Sequence, residues 1–144
     1  MVIAADTSFL FSLYGNDCNT GQAVAWCREC SLAITIGALN RFELINSLRF
    51  AECRRVLKPG EAAAKQMLFE NAIRAGRLIE RKCSLSDILA EAFQLSAAHT
   101  LTGGHRAFDI LHVASARVMG ATHFLTFDAN QRRLAAGAGF ELPV

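Results

Sequence analysis

The chain has 144 residues, a length that fits one domain with its own hydrophobic core. Its 15 Lys and Arg stand against 13 Asp and Glu, and the net charge of +2 is too small to indicate or exclude a nucleic-acid partner. No uninterrupted apolar stretch approaches the roughly 20 residues that a membrane helix needs, and no signal-peptide pattern opens the sequence. We therefore expect a single cytoplasmic domain, residues 1–144, with no membrane partner.

The first half of the chain alternates short apolar runs with helical patterns. Residues 2–5 predict a buried strand, and Asp6-Thr7-Ser8 leads into a helix that ends before Gly15. Apolar residues at steps of three predict one face of a long helix after residue 38. The predicted elements of this half are a strand over 2–5, helices to residue 14 and over 20–30, a strand over 32–36 and a helix over 38–57.

The second half continues the alternation. Here the pattern predicts helices over 59–76, 84–100, 109–119 and 130–136, an edge strand at 78–82, and strands at 123–126 and 140–144. Thr102-Gly103-Gly104-His105 is predicted to be a flexible loop. Strands that alternate with helices indicate the α/β class, with a mostly parallel sheet of about four to five strands flanked by helices.

Four acidic residues occupy positions that such a fold brings together. Asp6 and Asp128 follow the first and fourth strands, Asp109 opens a helix, and Glu43 lies about two turns into another. Parallel sheets place their ligands beyond the carboxyl ends of the strands, where the strand order reverses. Carboxylates gathered in one cleft repel one another unless a cation or protons intervene, and oxygen ligands select Mg²⁺ or Mn²⁺. The sequence therefore predicts a divalent metal site.

These acids lie in four segments that resemble the PIN-domain ribonucleases, whose largest group is the VapC-like toxins of bacterial toxin–antitoxin pairs. The resemblance covers essentially the whole chain, and its motifs occur in the expected order. The segments are Asp6-Thr7-Ser8, Arg41-Phe42-Glu43-Leu44, residues 108–116 (FDILHVASA) and residues 125–132 (LTFDANQR).

The resemblance implies a function for the site. Asp6, Glu43, Asp109 and Asp128 would be catalytic and would hold one or two Mg²⁺ or Mn²⁺ ions, directly or through water, for hydrolysis of RNA. The products would carry 5′-phosphate and 3′-hydroxyl ends. The resemblance also implies a homodimer and an antitoxin that covers the cleft, and the chain's ten phenylalanines agree with exposed apolar interfaces.

Neighbouring residues have less specific roles. Thr7 or Ser8, together with Thr126, is placed to orient the carboxylates by hydrogen bonds; the alternative is that Ser8 caps its helix and Thr126 is only a strand residue. Asn130 is placed to bind a metal water or to cap a helix. Four further residues are candidates for contact with the RNA backbone. They are His105, Arg106, Arg132 and Arg133.

Each acid also has a structural explanation of its own. Asp6 and Asp128 are placed to cap helices, Asp109 suits a helix N-terminus, and Glu43 has arginines nearby on its helix. Each explanation accounts for one acid, but together they do not explain why all four acids should meet at one edge of the sheet. His112, between Leu111 and Val113, is interpreted as a hydrogen-bonded packing residue.

Other functions remain open. Cys27 and Cys30 have the spacing of a thioredoxin-like pair, but they end a predicted helix, no cis-proline position faces them, and no second pair suggests zinc. A dehalogenase-type phosphatase would need a second Asp two residues after Asp6, and a receiver domain would need an acidic pair there. Within the resemblance, the alternatives are a housekeeping RNA-processing nuclease and a non-catalytic module that binds RNA or protein.

Overall fold

A computed structural model describes residues 1–144. The strands are β1 (Ile3–Ala5), β2 (Ile34–Ile36), β3 (Leu78–Glu80) and β4 (His123–Leu125). The helices are α1 (Thr7–Tyr14), α2 (Thr20–Glu29), α3 (Ala38–Cys53), α4 (Glu61–Arg74), α5 (Leu85–Gly103), α6 (Ala107–Val118) and α7 (Ala129–Gly137).

The four strands form one parallel sheet in the order β3-β2-β1-β4. Ile3 pairs with Ile34 on one side of β1 and with His123 on the other, so β1 is central. The chain builds the sheet outward through β2 and β3 and then returns to the opposite side of β1 with β4. The strand order therefore reverses between β1 and β4, which is where a sheet of this kind places its ligand cleft.

The sheet separates two apolar cores because successive side chains of a strand point to opposite faces. Ile3 and Ala5 of β1 pack with α1 to α4 on one face, whereas Ala4 packs with α5, α6 and α7 on the other. In β4, Leu125 and Phe124 divide between the same two cores. All three residues of β1 are buried, and this explains why the strand reads as a continuous apolar run.

The α/β class and the parallel, helix-covered sheet are confirmed, but two local predictions were wrong. The predicted loop at 102–105 is helix over its first two residues, because α5 continues to Gly103 and Gly104 ends it with a left-handed φ of 65°. The predicted last strand is reduced to one bridge between His123 and Glu141. Pro143 lacks the N–H that a longer ladder would need.

One helix boundary also differs from its prediction. Helix α3 ends at Cys53 rather than at Leu57, because Arg55 adopts a left-handed φ of 61° and turns the chain. None of the seven helices combines the length and the apolar composition that a membrane-spanning helix requires.

Candidate active site

A polar cleft of about 440 Å³ lies at the carboxyl ends of β1 and β4. Only two of its 15 lining residues are hydrophobic, so it differs from the apolar cavities that bind most small organic ligands. All four acids predicted from the sequence line it: Asp6, Glu43, Asp109 and Asp128.

Asp6 is the most buried of the four acids, at 3% exposure. Its Oδ1 accepts hydrogen bonds from Ser8 Oγ at 2.7 Å and from the Phe9 N–H at 3.0 Å, and its Oδ2 accepts one from Thr126 Oγ1 at 2.6 Å. Asp6 therefore caps α1 and faces the cleft at the same time. Burial raises the pKa of Asp6, although these hydrogen bonds oppose the shift.

Glu43 stands across the cleft on α3 and is held through one oxygen. Oε2 accepts a hydrogen bond from Thr7 Oγ1 at 2.6 Å and lies against Nε2 of His112. Partial burial alone would raise the pKa of Glu43, but the hydrogen bonds from His112 and Thr7 outweigh it, so that this pKa is lowered. The arginine of the same motif is turned away, since Arg41 pairs with Glu70 and Glu80.

Asp109 and Asp128 complete the acidic lining from α6 and α7. Asp109 lies in the first turn of α6, and its buried Oδ2 has no hydrogen-bond partner, with Arg106 Nε 3.4 Å away. Asp128 caps α7 by accepting the Gln131 N–H through Oδ1 at 2.8 Å. Both acids thus have one oxygen that no protein hydrogen bond occupies.

The donor set fits a hard divalent cation. The four acids supply only oxygen atoms, and a buried carboxylate oxygen that receives no hydrogen bond, as at Asp109, is the kind of group that a metal cation satisfies. No three His, Cys, Asp or Glu side chains lie close enough together to hold one ion. Metal ligation by these acids therefore stays a prediction.

Comparison with known proteins identifies the family. The sequence model of the PIN domain matches residues 3–137. The chain belongs to the PIN domain family. PIN domains are nucleases as a family, which supports a hydrolase that acts on nucleic acid. A comparison with curated proteins found no match.

Solved structures share the fold of this PIN domain at low sequence identity. VapC20 of Mycobacterium tuberculosis, a sarcin–ricin loop cleaving toxin, is 20% identical, with a TM-score of 0.70 and 96% of each chain covered. FitAcB of Neisseria gonorrhoeae is 18% identical, with a TM-score of 0.63, and the match covers 98% of this chain and 96% of that one. PAE2754 of Pyrobaculum aerophilum is 17% identical, with a TM-score of 0.61, and the coverage is 99% and 89%.

Of the four residues predicted to orient the carboxylates or to bind a metal water, three hydrogen-bond an acid of the site and one does not. Ser8 and Thr126 hydrogen-bond Asp6, and Thr7 hydrogen-bonds Glu43. Asn130 does not line the cleft, and its Oδ1 accepts a hydrogen bond from Arg133 at 2.6 Å. Of the two residues considered as the cap of α7, Asp128 provides it.

Of the four candidates for RNA contact, only one lines the cleft. Arg106 lines the cleft with its side chain 81% exposed. His105 lies outside the cleft lining and is buried against Gly103. Burial and the charge of Arg133 lower the pKa of His105. Arg132 bonds the carbonyl of Val144 and, like Arg133, lies outside the cleft lining.

Sequence reasoning missed several polar residues of the cleft. Ser12 and Asp17 are joined by a hydrogen bond of 2.8 Å at one end, and Gln131 is buried with Oε1 unpartnered. Ser12 lies four residues after Ser8 on α1, and this spacing was a signal that Ser12 faces the cleft as Ser8 does. His112 is buried and hydrogen-bonded, as predicted, but one of its two partners is the site acid Glu43.

Proposed function

We propose that this PIN domain is a Mg²⁺- or Mn²⁺-dependent endoribonuclease and that it is the toxin of a toxin–antitoxin pair. The observation that carries the proposal is the convergence of Asp6, Glu43, Asp109 and Asp128 on one polar cleft. Family membership supports nuclease activity, and the donor set supports a hard divalent cation. RNA as the substrate rests on the resemblance to PIN-domain ribonucleases.

A bound divalent ion would supply an acidified water and stabilise negative charge on the phosphate oxygens and the leaving 3′ oxygen. Asp6, Glu43, Asp109 and Asp128 would hold it, directly or through water. The chain's own contribution is orientation: hydrogen bonds fix Asp6 at both oxygens and Glu43 at one. Fixed carboxylates cost little reorganisation when charge develops on the substrate.

Arg106 is the cation best placed to meet the RNA backbone. It lies at the rim of the cleft, and most of its guanidinium is free to reach solvent or substrate. Replacing the contact between Arg106 and Asp109, at 3.4 Å, by a contact with a phosphate would cost little free energy, because the arginine side chain is exposed.

The toxin role is supported by the fold shared with VapC20, which is a toxin. On this reading the partners are cellular RNA in the cytoplasm, an antitoxin protein and a second copy of the chain. Support for the second copy comes from an exposed apolar row on α5. The row consists of Leu85, Leu89, Phe93 and Leu101.

Cleavage of a pool of tRNA and rRNA by the pure protein in Mn²⁺ tests the proposal, with EDTA as the metal-free arm. Asp109→Asn should abolish cleavage, because it keeps the shape but removes the charge. Asp87→Asn is the matched control, since Asp87 lies in the first turn of α5 as Asp109 does in α6, yet lies outside the cleft.

Metal-dependent products with 5′-phosphate ends, lost in Asp109→Asn and kept in Asp87→Asn, would establish the nuclease. Cleavage at one or a few sites would favour a toxin, whereas trimming of many precursors would favour RNA processing. Equal activity in both variants would rule out the acidic cleft as the site. Absence of cleavage, together with RNA binding, would favour a non-catalytic module.

A further inference from the structure

We propose that Asn40 is a positioning residue that sets the tautomer of His112, so that His112 holds one oxygen of Glu43 and is not itself a metal ligand. The proposal rests on the proposed function in that Glu43 is taken as a ligand of the catalytic ion. It concerns two residues outside the four acids. Asn40 and His112 are buried, at 2% and 4% exposure, and neither is explained by apolar packing.

The orientation of the Asn40 amide is determined by two backbone groups. Its Oδ1 lies 2.9 Å from the N–H of Gly37, which can only donate. Its Nδ2 lies 2.8 Å from the carbonyl oxygen of Ala5, which can only accept. Rotating the amide by 180° would place Nδ2 against the N–H of Gly37 and Oδ1 against the carbonyl oxygen of Ala5. Neither pair can form a hydrogen bond, and unsatisfied polar groups are costly in a buried place. The oxygen and nitrogen positions of Asn40 are therefore fixed.

The second hydrogen of the Asn40 amide fixes the tautomer of His112. Nδ2 of Asn40 lies 3.2 Å from Nδ1 of His112, and an amide nitrogen can only donate. Nδ1 must then be the unprotonated nitrogen of a neutral ring. In a neutral imidazole the proton is consequently on Nε2, the atom that faces Glu43.

This tautomer determines which oxygen of Glu43 is available to an ion in the cleft. Oε2 of Glu43 receives two donors, Nε2 of His112 and Oγ1 of Thr7, whereas Oε1 has no hydrogen-bond partner. The carboxylate is therefore held by one oxygen while the other remains available for an ion. Because Nε2 carries its proton toward Glu43 and Nδ1 is occupied by Asn40, His112 has no lone pair to offer a metal.

The packing of α6 against the start of α3 keeps this arrangement in place. A Cβ on Gly37 would lie 3.0 Å from Oγ of Ser115, so the absence of a side chain lets the two helices approach. Ser115 is one turn after His112 on the same face of α6. Asn40 also links α3 to the end of β1, since Ala5 immediately precedes Asp6.

The test is to determine the protonation of each ring nitrogen of His112 by multiple-bond ¹H–¹⁵N NMR, in EDTA and then in Mg²⁺. Loss of a signal in His112→Gln assigns the ring. We expect a protonated Nε2 and an unprotonated Nδ1 in both conditions. Asn40→Asp should protonate Nδ1, because a carboxylate can only accept, and should lower Mg²⁺ affinity about 10- to 100-fold, as loss of outer-shell partners of metal ligands does.

Asn46→Asp is the matched control, because Asn46 lies on the same helix, is exposed and is outside the cleft. It should leave the ring signals and the Mg²⁺ affinity unchanged. A proton on Nδ1 in the wild-type protein, or loss of the Nε2 proton when Mg²⁺ binds, would overturn the proposal, and this holds even if Asn40→Asp does not fold. The ring signals do not depend on RNA cleavage, so failure of the nuclease assay and failure of this inference are separate results.

Discussion

Thr126 donates a hydrogen bond of 2.6 Å to Oδ2 of Asp6, although the two residues are 120 positions apart. Oγ1 of the same threonine accepts the N–H of Asp128 at 3.1 Å. One hydroxyl thus joins the two acids that follow β1 and β4. Since Asp6 and Thr126 are both buried, this bond connects the stability of the fold to the geometry of the cleft.

Thr126→Val should therefore destabilise the protein. The variant keeps the shape of the side chain but leaves an oxygen of Asp6 and the N–H of Asp128 without their partner, which costs about 1–3 kcal/mol in the free energy of unfolding. Urea denaturation measures the change. Thr122→Val is the control, because Thr122 is exposed, and it should alter the midpoint little. Equal midpoints for the two variants would contradict the prediction.

Mn²⁺ should raise the melting temperature of the wild-type protein. An ion that binds only the folded state stabilises it by mass action, by about 2.7 kcal/mol at 100 times its Kd. The shift should be strongly reduced in Asp109→Asn and retained in Asp87→Asn, measured by scanning calorimetry with and without EDTA. An unshifted melting temperature in millimolar Mn²⁺ would count against an assembled site.

Two glycine substitutions should have opposite effects. A Cβ at Gly103 would lie 2.2 Å from Nε2 at the end of the His105 side chain, so the ring must move and Gly103→Ala should destabilise the protein, by at most about 1–3 kcal/mol in unfolding free energy. A Cβ at Gly21, in α2, would meet nothing within 4 Å, so Gly21→Ala should stabilise by up to about 1 kcal/mol. Urea denaturation distinguishes the two signs. Adding His105→Ala should restore most of the loss caused by Gly103→Ala, and an additive double variant would exclude the steric explanation.

Cys27 should react slowly with iodoacetamide at pH 8. Burial, together with Cys30, raises the pKa of its thiol to about 11, so very little thiolate is present at that pH. Cys18 and Cys53 are exposed and should be labelled first, which mass spectrometry of timed samples resolves. Labelling of Cys27 should keep accelerating as the pH rises above 9. Fast labelling at pH 8 would instead support the redox role that its spacing from Cys30 suggests.

Phe93→Glu should disrupt self-association. Phe93 is 77% exposed in the apolar row of α5, and a charge there opposes burial against an identical surface. Light scattering after size exclusion should give a dimer mass for the wild type and a monomer mass for the variant. Phe50→Glu, at a 58% exposed phenylalanine of α3, is the control and should remain dimeric. A monomeric wild type at micromolar concentration would refute the proposed homodimer.

Sequence patterns alone predicted the seven helices and the first four strands in their observed order, and they predicted that Asp6, Glu43, Asp109 and Asp128 lie at one cleft. These features follow from local patterns: apolar runs make buried parallel strands, and residues directly after parallel strands meet at one edge of the sheet. The strand order β3-β2-β1-β4 then places β1 beside β4, and Asp6 beside Asp128.

Which polar groups contact one another depends on the tertiary packing. His112 is surrounded by apolar residues in sequence, yet it meets Glu43 and Asn40, which lie on a different helix. His105 follows two glycines and reads as a loop residue, yet it is buried against Gly103. Contacts of this kind depend on how helices distant in sequence pack against one sheet, and periodicity carries no information about that packing.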